Sequence, residues 1–450
     1  MGDTTLADGN ADQQNSVGKH SKFKKYATFL AKFLSLQLVV QVLGLACGVL
    51  IARTLSHREY AYFTLANTMQ ATLMMLADIG IGNAVFAIGG KVWENFERFG
   101  EVVQTGMTIR RSLFWISSAV AISILAFLLH QKGANWWYII ILSGAVLLGC
   151  WFRMTNDLWQ IVPNIRGQIN RLQKLDLYNA IGRLIALGLA CLALFKAVTA
   201  ILIGSVGFAF QSFYLRRWAA EGANLNAPTN SNDRKEMLSI IKRQAPSSIY
   251  YCIQGQLSVF LISMFGTTRS LSELGALGRI SILFSVVSTL LGRVVLPRFA
   301  RTHDKKQLKA IFTQIVGCYF VFEFVLLALA YFFPEPFIWI LGKKYAFAVN
   351  DFVWVVLGAV IWNFVAAIYA TISIRAWTMQ IWTAIPLVVL TQFILAHFVD
   401  LGTVKGVTIV TAMSELVALI PYFRAAKIGF KSVGEIERAE DESLHISSSL

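Results

Sequence analysis

The chain has 450 residues, of which 56% are hydrophobic and only 14% are charged. A soluble domain normally carries about a quarter charged residues, so this composition excludes an ordinary water-soluble protein. The net charge of +15 raises the question of nucleic acid, but the basic residues lie in short loops beside apolar segments. Membrane topology and attraction to anionic lipid head groups explain that pattern better, and we expect no nucleic-acid partner.

Apolar runs long enough to cross about 30 Å of hydrocarbon recur from Phe29 to Phe423. They predict an all-α fold class, a polytopic membrane protein of about twelve transmembrane helices. In chain order the predicted spans are 29–52, 61–90, 112–130, 136–160, 177–195, 197–215, 245–266, 274–297, 310–333, 346–374, 381–399 and 406–423. Residues 1–28 form a polar, basic N-terminal tail, and no small-residue cleavage site follows it, so we expect no cleaved signal peptide.

The distribution of basic residues predicts the orientation, because basic loops remain in the cytoplasm. With the N-terminus inside, 28 of the 40 Lys and Arg residues fall in cytoplasmic segments and 8 fall in outer loops. The others lie within spans and are Arg153, Arg183, Arg279 and Arg293. We therefore predict a multi-pass protein of the cell inner (cytoplasmic) membrane with both termini, including the tail 425–450, in the cytoplasm.

A long predicted cytoplasmic linker, residues 216–244, divides the chain into two lobes of six helices each, 29–215 and 245–424. Its Asn/Pro/Ser-rich centre is typical of a linker. Because six is even, both lobes enter from the same side, so related lobes would be parallel repeats. Residues 55–61 and 269–275, after the first span of each lobe, share Ser, Glu and a small residue at one offset, which is weak support.

Signs of catalysis are missing from the sequence. The outer loops are short, which disfavours a membrane polysaccharide polymerase or glycosyl-transfer enzyme. No GxxxxGK[ST], HExxH or GxSxG occurs, and neither the histidines nor the cysteines cluster. We therefore predict no enzyme, no catalytic residues, no metal and no cofactor.

Ionisable groups within predicted spans are costly and are functional candidates by default. Arg279, Arg153 and Arg183 are candidates for binding the diphosphate of a lipid carrier, because guanidinium groups match phosphate oxygens and stay charged. For Arg153 an i,i+4 pair with Asp157 is an equally open interpretation, and for Arg293 the favoured one is snorkelling to the head groups.

Buried carboxyl groups suit ion coupling, and the candidates for this role are Asp78, Asp157, Glu323 and Glu415. Asp78 precedes Gly80 and Gly82, so capping of a broken helix is the alternative for that residue. For Glu323 and Glu415, packing against a polar group of another helix is the alternative. Gln37 and Gln41 share a helix face in the first span, and Gln254 lies in the seventh.

Several short sequence motifs resemble those of a known protein family. They are ARTL at 52–55, EYAYF at 59–63, ADIGIGNA at 77–84, NIRGQ at 164–168, LGALGR at 274–279, VLPR at 295–298, LGKKY at 341–345, and LG at 401–402 with GV at 406–407. In this order, over about residues 29 to 425, the chain resembles the polysaccharide and O-antigen flippase family. That family belongs to the multidrug, oligosaccharidyl-lipid and polysaccharide exporter superfamily.

The resemblance implies two six-helix bundles around a central cavity that opens alternately to each side, often with proton or sodium coupling. The implied cargo is an isoprenoid diphosphate-linked oligosaccharide. Spans one, two, seven and eight would line the cavity, which places Gln37, Gln41, Arg53, Asp78, Gln254 and Arg279 there. Expected partners are this lipid-linked substrate, membrane lipids and polysaccharide assembly proteins. The alternatives are a drug or organic-cation exporter of the same superfamily and a scaffold subunit of an assembly machine.

Overall fold

The computed structural model describes residues 35–192, 196–281, 288, 291, 295–302, 304–375, 377 and 381–433. Arg293, the N-terminal tail and most of the C-terminal tail lie outside the described residues, as does much of the predicted eighth span. The described part consists of helices joined by short connections. No β-strand occurs among these residues.

Helices of the first half follow the predicted spans. The bounds are α1 Ser35–Thr54, α2 His57–Asp78, α3 Ile81–Val92, α4 Phe96–Gln131, α5 Trp136–Trp159, α6 Ile161–Ile165, α7 Ile169–Ala190 and α8 Ala197–Gly222. We call α1 to α8 the N half. Its α4 begins well before the predicted span at 112, so its first turns carry residues that the sequence assigned to a loop.

The second half repeats this succession of long helices. The bounds are α9 Ser231–Phe265, α10 Thr268–Leu277, α11 Leu296–Arg301, α12 Lys305–Phe332, α13 Pro334–Leu341, α14 Val349–Ser373, α15 Ile381–Ala396 and α16 Val404–Val433, with a turn at Ala418. We call α9 to α16 the C half. Short 3₁₀ helices follow α10 and α13, at Gly278–Ser281 and Lys343–Ala348.

Eight helices of the described residues are long and apolar enough to cross a membrane, and the bent pair α2 and α3 makes a ninth. Helix α7, which has 22 residues but is less apolar, and the shorter helices α10 and α15 stand where the remaining spans are predicted. The chain is therefore a polytopic all-α membrane protein, as its composition predicts. Part of the loop predicted at 334–345 is helical, because Pro334 opens the separate helix α13.

The second span is broken near its end. The axes of α2 and α3 differ by 43°, and between them Ile79 and Gly80 adopt left-handed φ angles of 33° and 84°. The Oδ1 atom of Asp78 accepts a hydrogen bond of 3.1 Å from the backbone N–H of Gly82, at the start of α3. Asp78 therefore caps the second segment of a broken helix, which is one of the two roles proposed for it from sequence.

Three apolar clusters show how the halves meet. One cluster contains residues of both halves, for example Tyr60 and Leu129 together with Leu271 and Tyr345. A second cluster lies within the C half, at the other ends of α12, α14 and α16. The third lies in the N half and joins α3 and the start of α4 to the first turns of α9, which pack on this half. We call the end with the shared cluster the far side and the end that holds residues 223–230 the linker side. The halves thus share a core on the far side, whereas on the linker side their cores are separate and α9 runs between them.

Polar contacts reinforce the closed far side. The Nζ atom of Lys132 donates to the carbonyl of Gly266 at 2.6 Å, and the hydroxyl of Tyr60 donates to the carbonyl of Gly275 at 3.3 Å. Burial lowers the pKa of Lys132 from its usual value. The two similar segments 55–61 and 269–275 face each other here, since His57 Nδ1 lies 3.0 Å from Ser272 Oγ.

Helix α9 connects the halves. Its first turns pack on the N half through Met237 and Ile241, and the buried carboxylate of Asp233 pairs with Arg98 of α4. Pro246 interrupts its hydrogen-bond ladder, and beyond it the helix contacts α14 and α16. The predicted linker 216–244 thus consists of the end of α8, the connection 223–230 and the start of α9.

Candidate functional site

A cavity of about 880 Å³ separates the halves on the linker side. Its walls come from the α2/α3 break, from α9 around Pro246 and from the end of α14. The polar residues that line it are Asp78, Asn83, Arg243, Gln244, Ser247, Ser248, Tyr251, Tyr369 and Ser373. Because the halves have separate cores at this end, the cavity is the space into which a cargo could enter between them.

A buried arginine joins two of the predicted ion-coupling residues. Arg110 of α4 is only 2% exposed, and its Nη2 atom lies 3.1 Å from Asp157 Oδ2 and 3.5 Å from Asp78 Oδ1. Asp78 belongs to the cavity wall, whereas Asp157 lines a smaller cavity of about 130 Å³ with Arg153. The cluster of Asp78, Arg110 and Asp157 therefore connects the space between the halves to the interior of the N half.

Arg279 lies on the far-side part of the interface, in the 3₁₀ turn after α10. Its Nε atom donates to the hydroxyl of Tyr60 at 3.2 Å, and its guanidinium carbon lies 5.2 Å from the ring centre of Phe63. Gly48 of α1 lets it approach, since an added Cβ would lie 3.1 Å from Arg279 Cδ. This C-half arginine thus points into the N half, against α1 and α2.

Arg183 and Arg153 extend the positive charge from Arg279. Arg183, on α7, interacts electrostatically with both of the other arginines, and its buried Nε has no hydrogen-bond partner among the described residues. The guanidinium carbon of Arg153 lies 5.6 Å from the ring centre of Phe208. The structure thus places Arg183 within electrostatic range of the two other arginines that the sequence singled out.

Within the described ranges, no carboxylate comes within 4.0 Å of Arg279, Arg183 or Arg153 in an ion pair. Asp157 interacts with Arg153 at longer range, but its ion pair is with Arg110. The alternative of a close Arg153–Asp157 pair is therefore not what the structure shows. Three guanidinium groups in or against the N half, without close counter-ions among the described residues, form a region suited to an anion.

The C half has a polar interior of its own. The side-chain amides of Gln254 and Gln392 bond reciprocally, at 3.2 and 2.7 Å. Gln254 also lines a cavity of about 270 Å³ together with Asn363, Thr411 and Glu415. Glu415 is 5% exposed, and its Oε1 has no hydrogen-bond partner within the described part of the chain.

The remaining candidates lie apart from these clusters. Glu323 of α12 is 3% exposed, and neither of its carboxyl oxygens has a hydrogen-bond partner among the residues described. Gln37 and Gln41 are half-buried near the linker-side end of α1. Arg53 is on the far side, where it donates to the carbonyls of Trp339 and Ile340, both at 2.8 Å, and so connects α1 to the end of α13.

Sequence reasoning missed Arg110, because the predicted third span began two residues after it. The available signal was helical spacing, because Arg110 lies on the buried face of a helix whose first turns are polar and resemble a loop. The pairing of Gln254 with Gln392 could not be predicted either, since no local pattern pairs residues of two distant helices.

Comparisons with known proteins give a structural answer only. No family model matches the chain, and no curated protein matches it. Its fold resembles solved structures of transporters. One is an inward-facing multidrug resistance MATE family transporter of the MOP superfamily, with a TM-score of 0.69, 13% identity, and coverage of 88% of this chain and 96% of that one. Another is the lipid II flippase MurJ in an inward closed conformation, with a TM-score of 0.70, 14% identity and 90% coverage of both chains.

An outward-facing MATE family transporter of the MOP superfamily also matches, with a TM-score of 0.62 and 13% identity over 90% of this chain and 94% of that one. The identities are low, so the likeness concerns the fold. All three neighbours are transporters of membrane-embedded helical architecture. The chain therefore has the fold shared by these MOP-superfamily structures and by the lipid II flippase.

Proposed function

We propose that this chain is a flippase that moves isoprenoid diphosphate-linked oligosaccharide across the cytoplasmic membrane for surface polysaccharide biosynthesis. The observation that carries the proposal is the row of Arg279, Arg183 and Arg153, which has no close carboxylate in the described residues. Guanidinium groups hold phosphate oxygens in pairs of charge-assisted hydrogen bonds. A diphosphate head group would provide the negative charge that this region lacks.

The proposed mechanism is alternating access. The linker side, predicted to face the cytoplasm, has the cavity between separate cores, and the far side is closed by the shared core. The head group enters the cavity, and the halves then rock so that the far side opens while the isoprenoid tail remains in the bilayer. The higher TM-scores against the two inward structures than against the outward one support this state, and one neighbour is itself a flippase of lipid II.

Other predicted residues have supporting roles in this proposal. Gln37, Gln41 and Gln254 would bind sugar hydroxyls, and Arg53 would approach the cargo only once the far side opens. Polysaccharide assembly proteins remain proposed partners.

Ion coupling would use the carboxyl groups that face the interior. Protonation of Asp78 or Asp157 would weaken the ion pairs of Arg110 and so change how the α2/α3 break is held. Glu323 and Glu415 are the corresponding candidates in the C half.

A second candidate function is export of organic cations. The carboxylate of Asp78 lines the cavity between the halves, and a cation would be attracted to it. Two of the neighbours are multidrug resistance transporters. The arginine row favours the anionic cargo, and one set of measurements separates the two.

The test compares Arg279→Ala and Arg279→Lys with the intact chain in a strain that lacks its own polysaccharide flippase. We expect the intact chain to restore surface polysaccharide and to prevent lipid-linked sugar from accumulating in the cytoplasmic leaflet. Loss of a charge-assisted hydrogen bond of about 1.5–3 kcal/mol predicts a decrease of about 10- to 100-fold with Ala. A smaller decrease is expected with Lys, which keeps the charge but not the planar fork.

Arg234→Ala is the matched control, since Arg234 is an exposed arginine on the linker side of α9 and should leave transport unchanged. Efflux of a fluorescent organic cation is measured in the same cells, with and without a proton ionophore. Cation efflux without restored polysaccharide would favour the second candidate. Full activity of both Arg279 variants would remove this residue from the site.

A further inference from the structure

Each half has a basic groove on the linker side, away from the space between the halves. The groove of the C half, which we call the C groove, has a volume of about 930 Å³ and lies between the start of α12 and the end of α16. The groove of the N half, the N groove, has about 910 Å³ and lies between α4, α5 and α8. The proposed transport path uses neither groove.

The C groove combines cations with an aromatic floor. Its basic residues are Lys305, Lys309, Arg424, Lys427 and Lys431, and none of the described residues that line it is acidic. Phe312 forms the floor, with ring-centre distances of 6.4 Å to Phe423 and 5.5 Å to Phe430. The groove therefore offers a concentration of positive charge directly beside an apolar surface.

The N groove repeats this chemistry with other residues. Arg111, Arg216 and Arg217 supply its charge, and no acidic residue occurs among the described residues of its lining. Trp151, Trp159 and Phe213 supply aromatic surface, and the guanidinium carbon of Arg111 lies 5.9 Å from the ring centre of Trp151. Both grooves thus have a polar end and an apolar floor.

The two grooves occupy matching places in the two halves. In each half the groove involves the third and sixth predicted spans, which are α4 and α8 in one case and α12 and α16 in the other. The cations lie within the turns where these spans are predicted to leave the hydrocarbon, the level of lipid head groups, and aromatic side chains are typical of that level. Recurrence of the same chemistry at matching places, from different residues, argues against chance.

We propose that each groove binds one anionic phospholipid from the leaflet on the linker side. Lys and Arg would hold the phosphate, and the aromatic floor would lie along the first part of an acyl chain. Basic pockets between membrane helices are known to accept such head groups. A free phosphate would not use the aromatic floor, so the lipid is the occupant that fits the whole groove.

The test is native mass spectrometry of the purified full-length chain with added cardiolipin, phosphatidylglycerol or phosphatidylcholine. We expect two tightly bound anionic lipids per chain and no comparable binding of zwitterionic phosphatidylcholine. At about fivefold in affinity for each cation near the surface, the double variant Arg216→Gln/Arg217→Gln should weaken one lipid by about 25-fold. Lys309→Gln/Lys427→Gln should weaken the other equally.

Lys235→Gln/Lys242→Gln is the matched control, because it removes the same charge from exposed positions of α9 outside both grooves. It should leave both lipids bound. Equal loss of lipid in the control and in the groove variants would overturn the proposal, and so would equal binding of phosphatidylcholine.

The acidic run Glu435, Glu437, Glu440, Asp441 and Glu442 is the other possible occupant of the C groove. A chain ending at Val433 separates it from lipid. Unchanged lipid binding after this truncation supports the proposal for the C groove, whereas lipid binding that appears only after truncation contradicts it.

Discussion

At the scale of single residues, Arg110 of α4 joins three helices of the N half through its ion pairs. It is almost fully buried and lies between two carboxylates from different helices. Its single guanidinium group therefore pairs with two carboxylates at once. The stability of α2, α4 and α5 relative to each other therefore depends on Arg110.

Replacement of Arg110 tests this dependence. Arg110→Ala leaves Asp78 and Asp157 close together without their cation. Breaking a fully buried pair typically costs about 3–5 kcal/mol, but the side chains of Asp78 and Asp157 are 38% and 37% exposed, so we expect a smaller cost of about 1–3 kcal/mol. We expect a clear decrease in thermal stability in detergent, and Arg110→Ala/Asp157→Asn should recover part of it, because it removes one of the repelling charges.

The control for this prediction is Arg171→Ala. Arg171 pairs with Glu221 at 2.8 Å on the surface, where both side chains are about half exposed, and such pairs contribute about 0–1 kcal/mol. An equal loss of stability in Arg171→Ala and Arg110→Ala would contradict the central place of the buried cluster.

The residues of the candidate site differ in how well the sequence predicts them. Arg279, Arg183, Asp78 and Asp157 stood out because a charged residue in an apolar run is rare and easily seen. Arg110 did not stand out, since the first turns of α4 are polar and resemble a loop, and the apolar run begins only after this residue. The carbonyls that bind Arg53 could not be predicted, because they belong to a helix far away in the sequence.

At the scale of elements, the break between α2 and α3 shapes the cavity wall. Gly80 has φ of 84°, a conformation that residues with a Cβ rarely adopt. An added Cβ would also collide with the side-chain amide of Gln244 on α9. Gly80 therefore serves both the bend of the second span and the close approach of the C half.

Gly80→Ala should lower stability by about 1–3 kcal/mol, because the left-handed backbone is strained with a Cβ and Gln244 must turn away. Thermal unfolding in detergent measures the effect. Gly90→Ala, in the same helix α3 with open space around the added Cβ, should be neutral or slightly stabilising. If Gly80→Ala is as stable as Gly90→Ala, the break does not require glycine.

The positions of the helices were largely predictable from the sequence, but the residues at which they begin and end were not. Apolar runs located the spans, and the word Asp-Ile-Gly-Ile-Gly indicated a break. The start of α9 at Ser231 was placed too late in the sequence, because its first turns are polar and are held by the N half, through Arg98 and Asp233, rather than by lipid.

At the scale of the whole molecule, the two halves share one apolar core on the far side and have separate cores on the linker side. The halves contact through apolar side chains on the far side and are separated by the cavity on the linker side. If the proposed transport is correct, the far-side contact must separate during each cycle. A covalent bond across that contact should therefore stop transport.

Cysteines in place of Thr64 and Gly275 would form such a bond, a disulfide. An added Cβ on Gly275 would lie 3.1 Å from Thr64 Cβ, near the separation of about 3.5–4.5 Å in disulfides. In a background without the five native cysteines, Thr64→Cys/Gly275→Cys should lose at least about tenfold of its transport on oxidation and recover it on reduction.

A disulfide inside one half is the control. Gly149→Cys/Ser205→Cys joins α5 to α8, where the corresponding Cβ separation is 3.4 Å, and its oxidation should leave transport intact. Full transport by the oxidised Thr64–Gly275 pair would show that the far side does not need to open there.

Helix α9 has a mechanical consequence. Its first turns are held on α4 by the ion pair of Arg98 with Asp233, and its later turns contact the C half. The two halves are therefore connected by a continuous helix whose hydrogen-bond ladder is interrupted at Pro246. If the halves rock as proposed, this membrane span would bend at Pro246, in the wall of the cavity that a cargo would touch.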